Sequence, residues 1–93
     1  MSVIVGTIKR IEATKERGAN NFKTRDLIVV TEEQYPQTLC VQFSQDKTTL
    51  LDNFTANQKV KVEYSLRGRE VIKEGQEPAV YNSINGWKIE KVV

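Results

Sequence analysis

Histidine is absent from the 93 residues, and cysteine occurs once, at Cys40. A single cysteine excludes an internal disulfide, and with no histidine it excludes a zinc ion held by a cysteine/histidine set. No stretch approaches the ~18 apolar residues of a membrane span, and Arg10 and Glu12 follow the short opening apolar run, unlike a secretory signal. Without histidine, acid–base work at neutral pH falls to a shifted carboxylate or lysine, and no carboxylate pair sits in such a context. The expectation is a cytoplasmic protein that is no enzyme, with no cofactor, no metal, no small-molecule substrate and no membrane partner. Neither charge sign dominates: 14 basic residues face 12 acidic ones, for a net charge of +2. A polyanion could be bound only if those charges are segregated.

What is present reads as a single β-rich domain over residues 1–93. Five runs have strand character. "SVIVGTIKRIEA" alternates to Ile8, but Ile11 arrives out of phase, and with Gly6 this predicts a sharply coiling strand. "TKERGANNF" reads as a charged loop leading into "FKTRDLIVVT". "TLCVQFS" alternates Leu39, Val41 and Phe43 against Cys40, Gln42 and Ser44. "QDKTTLLDNF" breaks the alternation: Asp46 suits an N-cap, and Leu50, Leu51 and Phe54 could share one side of a short helix. "KVKVEYSLRGRE" puts Val60, Val62, Tyr64 and Leu66 on one face, and "VIKEGQEPA" reads as a turn-rich loop.

The closing run "YNSINGWKIEKVV" contains Asn85-Gly86, a strong hairpin signal. A hairpin would leave a sixth, free-edged strand, so a kink is the better reading. Gly86 at φ > 0 would insert a bulge and bring Ile84, Trp87 and Ile89 to one side, making Trp87 mainly core.

Three strands, a helix and two strands is the order of an OB-fold, a five-stranded Greek-key barrel with one short helix between strands 3 and 4. An SH3-like barrel shares much of that order. The acidic "EEQYP" turn, the Cys40 strand, "DK..LLDNF", the "VKV" strand, Arg69 and a Trp–x–Ile end occur in order from Phe22 onward. Together they resemble short OB-fold single-stranded DNA-binding proteins of bacteria and their phages. The resemblance implies coating of single-stranded DNA without sequence preference, in replication or recombination. That family usually carries an acidic recruiting tail; here the last expected strand runs to Val93, so the recruiting role is not expected.

Such a fold binds single strands on the face of strands two and three, between its long loops. Cations track phosphates, and flat side chains stack on bases at ~1–3 kcal/mol per base. The cationic candidates are Lys15, Arg17, Lys23, Arg25, Arg67, Arg69 and Lys73; the aromatic ones are Phe22, Tyr81 and Trp87. Phe22 reads equally as a cap on the barrel. Strand parity leaves Ile28 and Val30 on the outer face, in need of cover. Two other readings stand beside DNA: an RNA-binding OB module, and an assembly module using that outer face. Because one small barrel covers few nucleotides, a homodimer or larger assembly is expected.

Overall fold

Gly6 and the residues after it decide how the chain closes on itself. The computed structural model describes residues 2–18 and 22–92, with Arg17 described by its backbone alone. Six strands follow in order: β1 (Ser2–Ile11), β2 (Lys15–Arg17), β3 (Phe22–Thr31), β4 (Thr38–Ser44), β5 (Lys59–Val71) and β6 (Ala79–Lys91). A 3-10 helix, Gln45–Asn53, stands between β4 and β5. β1 pairs antiparallel with β5 through its first half and with β3 through its second, and the two ladders overlap at Gly6 and Thr7. A Cβ on Gly6 would lie 2.9 Å from the carbonyl carbon of Val30, so glycine alone permits this approach. A bulge between Ile8 and Arg10 then returns Ile11 to the inner side, which accounts for the phase break in the sequence.

The pairings close a ring, β1–β5–β6–β4–β3–β1, with β2 added on the edge of β3. All contacts in it are antiparallel except a short parallel one, in which Val41 faces Ile84 and Gln42 faces Asn85. The expected five strands are therefore six. Residues 15–17, read as loop, pair with Phe22–Thr24 and continue the β3 hairpin. Their charged side chains carry no apolar alternation by which the pairing could be recognised.

Inside the ring lie Ile4, Ile8, Leu27, Val29, Val41, Phe43, Leu51, Val60, Val62 and Ile89. Each such burial stabilises by ~1.5–3 kcal/mol. Leu51 and Thr48 are the residues the helix buries; Leu50 is exposed, and Phe54 is the C-cap, packed half-buried on the core. The N-cap is Ser44, two residues earlier than the Asp46 expected. Thr48 and Thr49 donate their hydroxyls back to the carbonyls of Gln45 and Asp46, at 2.8 and 2.9 Å.

Two further expectations need correction. Ile28, assigned to an outer face awaiting cover, is only 9% exposed in the single chain. It sits between Arg10 on β1 and Cys40 on β4, so its strand neighbours in the same chain flank it. The loop "VIKEGQEPA" is also shorter than read, because β5 and β6 stay paired from Leu66↔Ile84 out to Val71↔Ala79. β1 leaves β5 at Tyr64, so the hairpin projects beyond the ring as a two-stranded arm. Among the described residues, no helix is long and apolar enough to cross a membrane.

Candidate nucleic-acid interface

Strand register sets which side chains share the outer face of β3, β4, β6 and β5. Thr24 faces Ser44, Gln42 faces Asn85, Asn85 faces Ser65, Ser83 faces Arg67, and Tyr81 faces Arg69. Period-two alternation therefore puts Phe22, two residues before Thr24, on this face as well. A cleft of about 390 Å³ opens here, walled by Phe22 and Trp87 and floored by Gln42, Ser44, Asn85 and Gly86. Gln45, Lys47 and Arg67 complete it. Arg67 also borders a second hollow of about 190 Å³ along the arm, lined by Arg69, Tyr81, Asn82 and Ser83. The shared arginine joins the two into one groove.

Trp87 is where the structure departs most from the sequence reading. The bulge exists: Glu63 pairs with Lys88 and Tyr64 with Gly86, leaving Trp87 as the extra residue. Its cause is not a left-handed glycine, since the glycines with positive φ are Gly18 and Gly75. Gly86 is instead buried on the inner side, where a Cβ would lie within 2.7 Å of the Phe43 ring. Phe43 fills the space under the strand, and the indole turns outward, 39% exposed. Trp87 is groove wall, not core. Its Nε1–H donates to Ser65 Oγ at 3.0 Å, which fixes the ring plane. The Lys47 ammonium lies 5.3 Å from the indole centroid, a cation–π contact.

The predicted residues divide. Phe22, Arg67, Arg69, Tyr81 and Trp87 line the groove together. Lys15 pairs with Thr24 on the added strand and so shares the groove's side of the sheet. Lys23 pairs with Glu16 and alternates to the other side. Arg25 points inward and is committed: it donates to the carbonyls of Glu12 (2.9 Å) and Thr48 (3.2 Å), and to Asp52 Oδ1 (2.6 Å). It is a latch between β3 and the helix, away from the groove. Lys73 lies in the turn at the arm's far end, its carbonyl accepting from Gln76 N–H. Arg17 pairs its backbone with Phe22, and its side chain lies outside the described residues.

Sequence reasoning missed Lys47 and the polar floor of Gln42, Ser44, Gln45 and Asn85. Alternation along β4 did place Gln42 and Ser44 on the outer face. Lys47 had no such signal, because it follows the strand into the helix through Gln45, held at φ 54°. A left-handed backbone is uncommon for glutamine, and it turns the chain so that Gln45 and Lys47 both border the cleft.

Among the described residues, no aspartate or glutamate lines either part of the groove. Cys40, next along the outer face of β4, has its thiol pKa raised by burial first and then by the nearby Asp26 carboxylate. A family model described as "Domain of unknown function (DUF3127)" matches residues 3–90. The chain belongs to the DUF3127 family. No curated protein sequence matches it. The match spans every wall of the groove in this DUF3127 domain, from Phe22 on β3 to Trp87 on β6.

Proposed function

We propose that this DUF3127 chain is an OB-fold that binds single-stranded DNA without sequence preference, as the resemblance of its motifs implies. The ring order supports the fold. With the short β2 set aside, its five strands run one-two-three-five-four, three and five meet in parallel, and the helix stands between three and four. The observation that carries the function is the groove. It brings Phe22, Trp87 and Tyr81 together with Lys47, Arg67 and Arg69, and among the described residues no carboxylate interrupts them.

The mechanism follows from the chemistry of those groups. Lys47, Arg67 and Arg69 neutralise successive phosphates, so counterions leave and affinity falls with salt. Phe22, Trp87 and Tyr81 offer faces on which any base can stack. A base arriving at Trp87 must displace the Lys47 ammonium. An exposed cation–π contact is worth ~0.5–1 kcal/mol, whereas base stacking is worth ~1–3 kcal/mol, so the exchange is favourable. The freed ammonium remains beside the base's own phosphate. The Ser65 hydrogen bond keeps the indole plane in position throughout.

The site per ring would be ~4–16 nucleotides, and coating a longer strand would take several copies of this chain. A cytoplasmic place in replication or recombination belongs to the same proposal. The test is quenching of Trp87 fluorescence by oligothymidine, with a log–log salt slope of several units. An unchanged signal with no gel shift at low salt would overturn it. Competition between matched DNA and RNA oligomers separates DNA from RNA as the natural ligand.

A further inference from the structure

The floor of the cleft carries more hydrogen-bonding capacity than a stacking platform needs. Three side-chain amides, of Gln42, Gln45 and Asn85, converge between the two aromatic walls, with the Ser44 hydroxyl beside them. Asn85 donates to Ser83 Oγ at 3.3 Å. Among the described residues, the amide groups of Gln42 and Gln45 have no hydrogen-bond partner. The Ser44 hydroxyl, at the N-cap position, makes no capping bond. Stacking walls with open amides beneath them make a slot that can hold one base by its faces and meet its edge.

The balance of donors and acceptors in that slot is lopsided. Lys47 and Arg67 only donate; each amide both donates and accepts; and no carboxylate among the described residues supplies a strong acceptor. A base edge bearing a carbonyl finds ample donors there. An edge bearing an exocyclic amino group competes for the few amide oxygens and sets its own donors against cations. Adenine is the one common base with no carbonyl.

The geometry points to a single-base subsite between Phe22 and Trp87 that accepts carbonyl-bearing bases over adenine, reading the edge with Gln42, Gln45 and Asn85. It rests on the proposal that the groove binds single strands, and adds one discriminating position to an otherwise tolerant path. Strand stiffness also separates homopolymers, so the decisive comparison keeps the ring shape constant. Hypoxanthine and adenine are purines of one outline that differ along a single edge, a six-position carbonyl with N1–H against an amino group with bare N1.

The experiment measures affinities of oligodeoxyinosine and oligodeoxyadenosine, each about twelve nucleotides, at one salt concentration. They are compared for the native chain and for Gln42→Leu and Gln45→Gly, the latter compatible with the left-handed backbone at that position. The native chain is expected to favour inosine by about tenfold, within the range of a good bidentate base contact. In each variant, with the fold confirmed by circular dichroism, the ratio is expected to shrink to about threefold or less. A native ratio near one, or a ratio that both variants leave intact, overturns the subsite while binding itself persists. Binding of neither oligomer, nor of oligothymidine, at low salt overturns the single-strand reading and the subsite with it.

Discussion

Two clefts of similar volume on this small ring differ in charge. The groove cleft, about 390 Å³, is walled by aromatics and bordered by cations. The other, about 350 Å³, lies where Thr7 and Lys59 meet the β3–β4 turn, and Glu32 and Glu33 form its rim. A neighbouring hollow carries the same two glutamates over Val3, Val5 and Tyr64. The cation among the described residues of the acidic cleft, Lys59, is held 2.6 Å from the Glu32 carboxylate. In the groove Lys47, Arg67 and Arg69 have no carboxylate partner among the described residues. The net charge of +2 averages these two surfaces and describes neither. What a polyanion meets is the local field, and within a Debye length of ~8–10 Å only one of the clefts is attractive.

Reversing that field gives the largest expected effect. Arg67→Glu with Arg69→Glu is expected to weaken oligothymidine binding by about a hundredfold at low salt, with the log–log slope reduced by ~2. Glu32→Gln with Glu33→Gln is expected to leave both within about twofold, since those groups lie off the path. A comparable response from the acidic side would erase the distinction between the two clefts. Next in size is stacking. Trp87→Ala is expected to weaken binding by about tenfold with the salt slope unchanged, because a base platform goes and no charge does. Tyr35, 74% exposed in the acidic turn, is the matched control, and Tyr35→Ala is expected to change nothing in a gel-shift titration.

The same two surfaces show how much of the molecule was legible in the sequence. Strand β4 could be read from its alternation, as could the phase break in β1, because a half-buried strand repeats every two residues; β3, with Leu27, Ile28 and Val29 buried in succession, does not alternate. Arg67, Arg69 and Tyr81 reach the groove because parity along a long paired hairpin holds their side. Arg25 could not be told from them: its inward parity was visible, but the Glu12 and Thr48 carbonyls that capture it come from other elements. Trp87 failed for a related reason. Asn85-Gly86 signals special backbone locally, yet the glycine is needed for a ring that approaches from β4. Lys47 and Gln45 lie where a strand becomes a helix, and there no period carries across.

Arg25 and Gly86 sharpen the comparison from within, since each changes stability with no change in surface charge segregation. Arg25→Ala removes a half-buried guanidinium and strands two backbone carbonyls, so a loss of ~1–3 kcal/mol is expected in urea unfolding. Its salt slope for oligothymidine should stay that of the native chain, while Arg67→Ala should lower the slope by ~1 and leave stability alone. Equal slopes for the two arginine variants would mean that Arg25 reaches phosphate after all. Gly86→Ala drives a methyl group into the Phe43 ring, and overpacking of this kind costs ~1–3 kcal/mol. Because the strand must shift to accommodate it, Trp87 emission should move as well.

The smallest expected effect concerns Cys40, which stands on the outer face of β4 between the two surfaces. Burial raises its thiol pKa first, the Asp26 carboxylate adds to the rise, and Arg10 opposes it more weakly. A raised pKa means less thiolate at neutral pH, so alkylation should be slow despite an exposed side chain, and should accelerate only above the ordinary thiol range. Asp26→Asn removes one raising cause and should speed alkylation about threefold at mildly alkaline pH. Oligothymidine should leave that rate unchanged while it quenches Trp87, because Cys40 borders the groove without lining it. Protection of Cys40 by the oligomer would instead extend the bound path along β4 toward Asp26, and the boundary between the basic and acidic surfaces would have to be redrawn there.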